Sequence, residues 1–159
     1  TLKYPQKLHM WACISYHGVG KIYTFRENLT GDLYRTILRK AMLPSAHTLF
    51  SKRMASTWVF QQDRDPKHTS KICQKFLNDK KVRVLWNPPQ SPDLNPIENL
   101  WTLFKDKIAE KNPKNLDQLE KAIHTVWPTL EIPLLRSLIQ SMPRRLEAVI
   151  KNRGGHTKY

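Results

Sequence analysis

Four of the eleven prolines fall between Asn87 and Pro96. Proline has no backbone N–H to donate, and it pushes the residue before it out of the helical region. This stretch is therefore a rigid, extended loop, neither helix nor interior strand. It divides the chain in two. Ahead of it, short apolar runs alternate with amphipathic segments; beyond it, only helical periodicities remain.

In the first part, Leu8–Tyr16 reads as a buried strand, His17–Gly20 as a turn and Lys21–Arg26 as a second, alternating strand, which together predict a hairpin. Thr30 is placed to cap a helix carrying Leu33, Tyr34, Ile37, Leu38 and Met42 on one face and ending before Pro44. Ser45–Ala55 fits either a loop or a continuation of that helix. Trp58–Phe60 is a short strand leading through Gln61 and Gln62 to Asp63. Asp65 can cap a helix opened by Pro66, whose apolar face is Ile72, Cys73, Phe76 and Leu77. Val82–Trp86 is a further strand. After the loop come four helices: one from Asn95–Glu98 through Ile108, one marked by Leu116–Val126, one by Leu134–Ile139, and a last from Pro143 to Gly154-Gly155. Strands alternating with helices predict an α/β sheet covered by helices. Chemistry in such sheets gathers at the carboxyl ends of strands, and Asp63 stands at one.

Lys and Arg number 27 against 13 Asp and Glu, a formal net charge of +14. That excess predicts a polyanionic partner, most simply nucleic acid. One dense basic stretch runs from Arg64 through Lys67, Lys71 and Lys75 to Arg83, and another includes Arg144, Arg145 and Lys151. Either can equally be a solvated helix face. No segment approaches the roughly eighteen apolar residues a membrane span needs, and no secretory signal opens the chain. Cys13 and Cys73 lie in no metal-ligand spacing and are expected as free thiols.

Two carboxylates carry the chemical question. Val59 and Phe60 bring Asp63 to the edge of the core, where a carboxylate needs a positive match: a divalent metal, an Arg or a helix N-terminus. Glu98 stands three residues after Asn95, the spacing of a capping box, which by itself explains it structurally. Taken together, a strand end and the first turn of a later helix are two elements from which carboxylates can converge on a metal for phosphoryl transfer.

The text around them is more specific. Gln61–Ser70 (QQDRDPKHTS) and Pro88–Trp101 (PPQSPDLNPIENLW) closely resemble the signatures of the Tc-one/mariner superfamily of transposases, in its nematode-type branch. Thirty-four residues separate Asp63 from Glu98, the interval this branch shows between the second Asp and the final Glu of its Asp-Asp-Glu triad. Ser141–Ala148 and the closing Thr157-Lys158-Tyr159 match as well. The resemblance implies a ribonuclease-H-like fold, a mixed sheet flanked by helices. It also implies cleavage and strand transfer of double-stranded DNA at terminal inverted repeats, with joining to a TA target. Mg²⁺ or Mn²⁺ is the implied cofactor, held by Asp63 and Glu98; the nucleus is the implied location, and a homodimer the implied assembly of the full-length protein. Arg64, Lys67, His68, Lys71, Arg144 and Arg145 are the candidate DNA contacts. His68 can alternatively orient Asp63 or bond locally, Asp65 fits a cap better than a ligand, Asp93 and Asn95 fit shapers of the loop, and Trp101 fits the core.

The chain departs from the family pattern in four places. Ala12 stands where relatives commonly have Gly, and Arg64 where they often have Asn, beside the metal carboxylate, where it can pair with Asp63 and compete with metal. Trp86-Asn87 replaces the usual Asp-Trp. Finally, the family's first catalytic Asp lies on a strand upstream of the segment matching Leu8–Tyr16. Neither Glu27 nor Asp32 is placed to substitute for it. The expectation is that residues 1–159 form a partial catalytic domain, lacking the first, central strand and the DNA-reading helix-turn-helix domain, and inactive as it stands. The alternative is a decayed or domesticated remnant that binds DNA without cutting it.

Overall fold

The two apolar runs at the start pair as an antiparallel hairpin, β1 (His9–Ser15) with β2 (Gly18–Phe25). The computed structural model describes residues 7–50 and 57–159. The hairpin register shifts between Ala12 and Ile14, so Gly20 and Lys21 of β2 together face Cys13. The Lys21 N–H donates instead to Ser45 Oγ at 2.7 Å, and that hydroxyl donates to Ala41 O at 2.6 Å. Gly20 is required here: a Cβ would stand 2.4 Å from Cys13 Sγ and 2.8 Å from Ser45. Burial pushes the Cys13 thiol up to about 11, partly opposed by its hydrogen bond with Ser45. Cys13 and Cys73 are both free, as expected.

Thr30 caps α1 (Gly31–Ile37), its side chain accepting from Leu33 N–H. The expected stop at Pro44 is corrected. The helix widens into a π-turn over Leu38–Met42 and continues as α2 (Leu43–Leu49) with Pro44 in its first turn. Proline cannot donate to the preceding turn and its ring crowds that carbonyl. The wider turn, closed by Leu43 N–H to Leu38 O, takes up the misfit. Ser45 therefore belongs to a helix, while Ser51–Ala55 lie outside the described residues.

β3 (Phe60–Gln62) pairs in parallel with β4 (Val84–Trp86), Gln61 opposite Leu85. The crossover contains α3 (Lys71–Asp79), which starts later than expected: Pro66–Ser70 form turns, and Asp65 caps those turns, accepting from Lys67 N–H at 2.9 Å. Beyond the proline loop follow α4 (Pro96–Ala109), α5 (Leu116–Val126), α6 (Ile132–Gln140) and α7 (Met142–Lys151).

The hairpin lies between two cores. Met10, Ala12 and Ile14 pack on a cluster built by α4, α5 and α6, with Phe104, Trp127 and Leu135 at its centre. Trp11 points the other way, into Tyr34, Leu38, Met42, Cys73 and Leu77. Successive side chains of the strand thus alternate between its two faces, each of them half-buried. Trp101 stacks on Trp127 at 5.8 Å and packs, partly buried, against the core on the side its spacing indicated. Among the described residues no helix is long and apolar enough to cross a membrane.

The two strand pairs are not hydrogen-bonded to each other. Between them runs a cavity of about 440 Å³, with Met10–Tyr16 along one wall and Trp58–Asp63 along the other. Strand-edge backbone of this kind normally has a partner.

Candidate active site

Asp63 leaves the end of β3 and Glu98 lies in the first turn of α4; both line the cavity between the strand pairs. Asp63 is anchored through one oxygen only. Its Oδ1 accepts from the Asp65 N–H at 3.0 Å and from His68 Nδ1 at 2.5 Å. A carboxylate only accepts, so Nδ1 of His68 carries the proton. His68 is in turn stacked on Tyr34, ring centroids 4.1 Å apart. Tyr34 O–H donates to Gln62 Oε1 at 2.5 Å. Burial, the larger cause, and the nearby Asp63 charge raise the Tyr34 pKa above its ordinary value. These contacts fix the Asp63 side chain and leave Oδ2 without a protein partner among the described residues.

Glu98 is equally uncommitted. Asn95 caps α4 by accepting from Ile97 N–H at 3.4 Å, but the reciprocal half of the capping box is missing. The Asn95 N–H donates to Pro92 O at 3.0 Å instead, so the Glu98 carboxylate is not needed there. Burial raises the Glu98 pKa above its ordinary value, and the Asp63 charge raises it further, against a smaller opposite effect from Lys105. Two carboxylates that repel each other across one cavity are an oxygen-donor set that suits a hard divalent cation. Among the described residues no group of three or more His, Cys, Asp or Glu is disposed to hold a metal.

A brace that the sequence reading missed aligns the two elements. Gln61 donates through Nε2 to Asn87 Oδ1 at 2.7 Å and to Leu94 O at 2.8 Å, tying β3 to both ends of the proline loop. Asn87 N–H donates to Gln62 O at 2.9 Å. Asn87, one partner of this brace, is buried. From the far side, Thr157 Oγ1 donates to Asp93 Oδ2 at 2.9 Å, so Asp93 and Asn95 shape the loop as expected.

The candidate DNA contacts separate into two groups. Arg64, Lys71 and Arg144 are exposed. Lys67 is exposed with its ammonium 3.4 Å from Asp65. His68 is committed to Asp63 and only 16% of its side chain is accessible, which favours the orienting role. The expectation for Arg145 is corrected: it is 2% exposed, bonded to Ser141 Oγ at 2.7 Å and Asp93 O at 3.1 Å, with Tyr159 beneath its guanidinium. Desolvation lowers its pKa below the ordinary value, opposed by Tyr159 and Asp93. Arg64 does not pair with Asp63; its guanidinium lies 5.8 Å from the centroid of the Trp86 ring.

Two carboxylates facing one cavity from a strand end and a helix start, in an α/β fold of strongly basic composition, are an arrangement that suits metal-dependent phosphoryl transfer on nucleic acid. A family model described as DDE superfamily endonuclease matches residues 3–120, and the chain belongs to that family. Its similarity is to transposases of the Tc-one/mariner kind. It is 34% identical over 150 residues to the transposable element Tcb1 transposase of Caenorhabditis briggsae and 33% identical over 150 residues to the Tc1 transposase of Caenorhabditis elegans. Each match covers 94% of this chain and 54% of the relative, so the chain spans about half the length of these relatives. Among solved structures, the catalytic domain of Mos1 mariner transposase superposes with a TM-score of 0.84 at 18% identity, covering 99% of this chain and 79% of that one. A Mos1 catalytic domain solved with raltegravir and Mn also gives 0.84, at 17% identity and 80% of that chain. At such identities the likeness establishes the fold, which is the ribonuclease-H-like one expected.

Proposed function

We propose that the chain is the catalytic part of a transposase that cuts double-stranded DNA at terminal inverted repeats and joins the ends to a TA target. The observation that supports this most is the convergence of Asp63 and Glu98 on one cavity, each with carboxylate oxygen left free by its own element. Mg²⁺ or Mn²⁺ fits these hard oxygen donors, and Asp63 and Glu98 would hold it. When bound, such an ion activates the attacking oxygen and stabilises the leaving one. The chain's own residues do the rest. His68 and the Asp65 N–H hold Asp63 in place, Gln61 and Asn95 hold the start of α4 against β3, and Arg64, Lys71 and Arg144 offer charge to the phosphates.

The cavity between β1 and β3 supports a further part of the reading: it is filled by an additional strand that carries the triad's first Asp, so residues 1–159 are a partial catalytic domain. Solved structures of similar fold bear names such as the Mos1 transposase paired-end complex with left transposon end and the Mos1 strand transfer complex. By that analogy we also propose assembly on transposon-end DNA; a homodimer working in the nucleus is the further proposal that the family resemblance implies. The test is calorimetry with Mn²⁺, followed by nicking of inverted-repeat DNA. Metal uptake that disappears in both Asp63→Ala and Glu98→Ala supports the site. Uptake unchanged in either variant overturns it. Efficient cutting by residues 1–159 alone overturns the partial-domain reading, and binding without cutting even after the strand is supplied favours the remnant that only binds DNA.

A further inference from the structure

Asp63 and Arg64 are consecutive, yet they serve different hollows. Asp63 lines the cavity shared with Glu98, whereas Arg64 lines a separate cleft of about 340 Å³ on the other side of the β3–β4 pair. Strand alternation explains part of the floor of that cleft: Val84 and Trp86 of β4 present the same face, and Val82, just before the strand, lines the floor beside them. Its rim is polar, with Arg64, Thr69, Gln74 and Asn78. Arg64 and Trp86 therefore meet here, guanidinium over indole.

The rim groups have bonding capacity to offer. The carboxylates nearest Arg64 in sequence are engaged elsewhere, Asp63 with His68 and Asp65 with Lys67. The Arg64 guanidinium has no hydrogen-bonded or ion-paired partner among the described residues, only the Trp86 ring. Gln74 donates through Nε2 to Thr69 O at 2.7 Å, leaving its carbonyl oxygen unengaged, and the exposed Asn78 carboxamide is unengaged too. No acidic residue lines the cleft, and Lys80, Lys81 and Arg83 are exposed on the segment that joins Asn78 to β4.

We infer that this cleft receives one unpaired nucleotide of the DNA strand that passes the Asp63–Glu98 site, its base lying on the Arg64 guanidinium that Trp86 backs. The volume sits at the lower end of the roughly 300–1,000 Å³ typical of small-ligand pockets, large enough for a nucleotide and far too small for a duplex. Planar guanidinium and indole groups are the stacking surfaces that bind unpaired bases irrespective of sequence. The Asn78 and Gln74 amides can meet a base edge, and the surrounding lysines can meet the phosphate. Because Arg64 directly follows Asp63, a strand gripped in the cleft is held one residue away from the candidate metal carboxylate.

The inference rests on DNA being the substrate, and one titration separates the two claims. Fluorescence anisotropy would compare a labelled duplex bearing a three-nucleotide single-stranded overhang with the same duplex blunt-ended. The expected result is preference for the overhang, on the order of tenfold, abolished in Arg64→Lys and reduced in Asn78→Ala, with blunt-duplex affinity unchanged in Asn78→Ala. Arg64→Lys keeps the charge and removes the planar fork, and both positions are exposed, so folding is not at issue. Trp86→Phe, which retains an aromatic backing, should keep most of the preference. Equal binding of the two duplexes by the unaltered chain overturns the cleft while leaving the DNA reading intact. So does an Arg64→Lys protein that keeps the preference, or an Arg64→Ala protein that loses affinity for both duplexes equally, since Arg64 is then a phosphate contact alone. Failure to bind either duplex overturns both.

Discussion

Arg145 offers the sharpest separation between a charge read from sequence and a charge placed by the fold. In sequence it is half of an Arg-Arg pair in a basic stretch; in the structure it is a buried clamp. Replacing it with Ala removes a bond to Ser141 Oγ at 2.7 Å and a bond to Asp93 O at 3.1 Å, and the guanidinium above Tyr159 at 5.1 Å. Hydrogen bonds from a charged donor contribute roughly 1.5–3 kcal/mol each, and a partly desolvated cation–π contact about 1 kcal/mol. Neighbouring losses are not additive, so about 4 kcal/mol is the working figure. For a chain of this length each kcal/mol moves Tm by roughly 2–4 °C, which puts Arg145→Ala on the order of 10 °C below the parent. Arg145→Lys, which keeps charge without the planar fork, should recover part of this. Arg144 is exposed, so Arg144→Ala should stay within about 0.5 kcal/mol of the parent. Instead it should lower the slope of log affinity for DNA against log salt by about one. Thermal melts by circular dichroism and DNA titrations at three salt concentrations, below every melting point, read both effects. An Arg145→Ala protein that melts with the parent and loses a unit of salt slope would refute the clamp.

Three more expectations follow from the site and the hairpin. The Glu98 carboxyl is held above its ordinary pKa by burial and by Asp63; both folded and unfolded forms are protonated at low pH, so the penalty appears only as pH rises from the unfolded value, about 4.3, through the folded one. Without metal at neutral pH, Glu98→Gln should therefore be more stable than the parent in urea, while Mn²⁺ at a hundredfold excess over Kd should add about 2.7 kcal/mol to the parent alone; a less stable variant under metal-free conditions refutes this. His68→Ala removes the bond that orients Asp63 and should weaken Mn²⁺ binding by roughly 10–100-fold in calorimetry; unchanged affinity would show that the Asp65 N–H suffices. Gly20→Ala sets a methyl 2.4 Å from Cys13 Sγ and should cost about 2 kcal/mol by urea midpoint, partly restored by Cys13→Ala, whereas a neutral outcome would mean that the hairpin yields.

Much of this was legible because it is written locally. Alternation disclosed the hairpin, the Asn95-Pro96 start disclosed α4, and the spacing of Leu100, Trp101 and Phe104 disclosed its buried face. What stayed hidden depends on partners distant in sequence. Pro44 reads as a stop, and only the π-turn closed by Leu43 on Leu38 lets the helix pass it. Arg145 reads as surface because the carbonyl that buries it belongs to Asp93 and the ring to Tyr159. Glu98 reads as half of a capping box because sequence cannot show that Pro92 has already taken the Asn95 N–H. Gln61 carries no signature, and its role as the brace between β3 and the proline loop exists only once the loop has turned.

The cavity between the strand pairs ties folding to chemistry. Its walls are consecutive residues of β1 and β3, with Asp63 and Glu98 lining the same space. On the same wall, buried Gln62 leaves its Nε2 without a partner among the described residues. An inserted strand of the kind proposed above would answer all of these needs at once. Its backbone would pair with edges that a solvated surface otherwise leaves open, its main chain could accept from Gln62, and an acidic side chain near its end would join the two carboxylates already present. Sheet completion and site completion are then one event, so a chain without the strand should be deficient in stability and in metal binding together. A protein that gained either property without the other on receiving the strand would separate them. It would also show that the cavity exists for some purpose other than holding the third carboxylate.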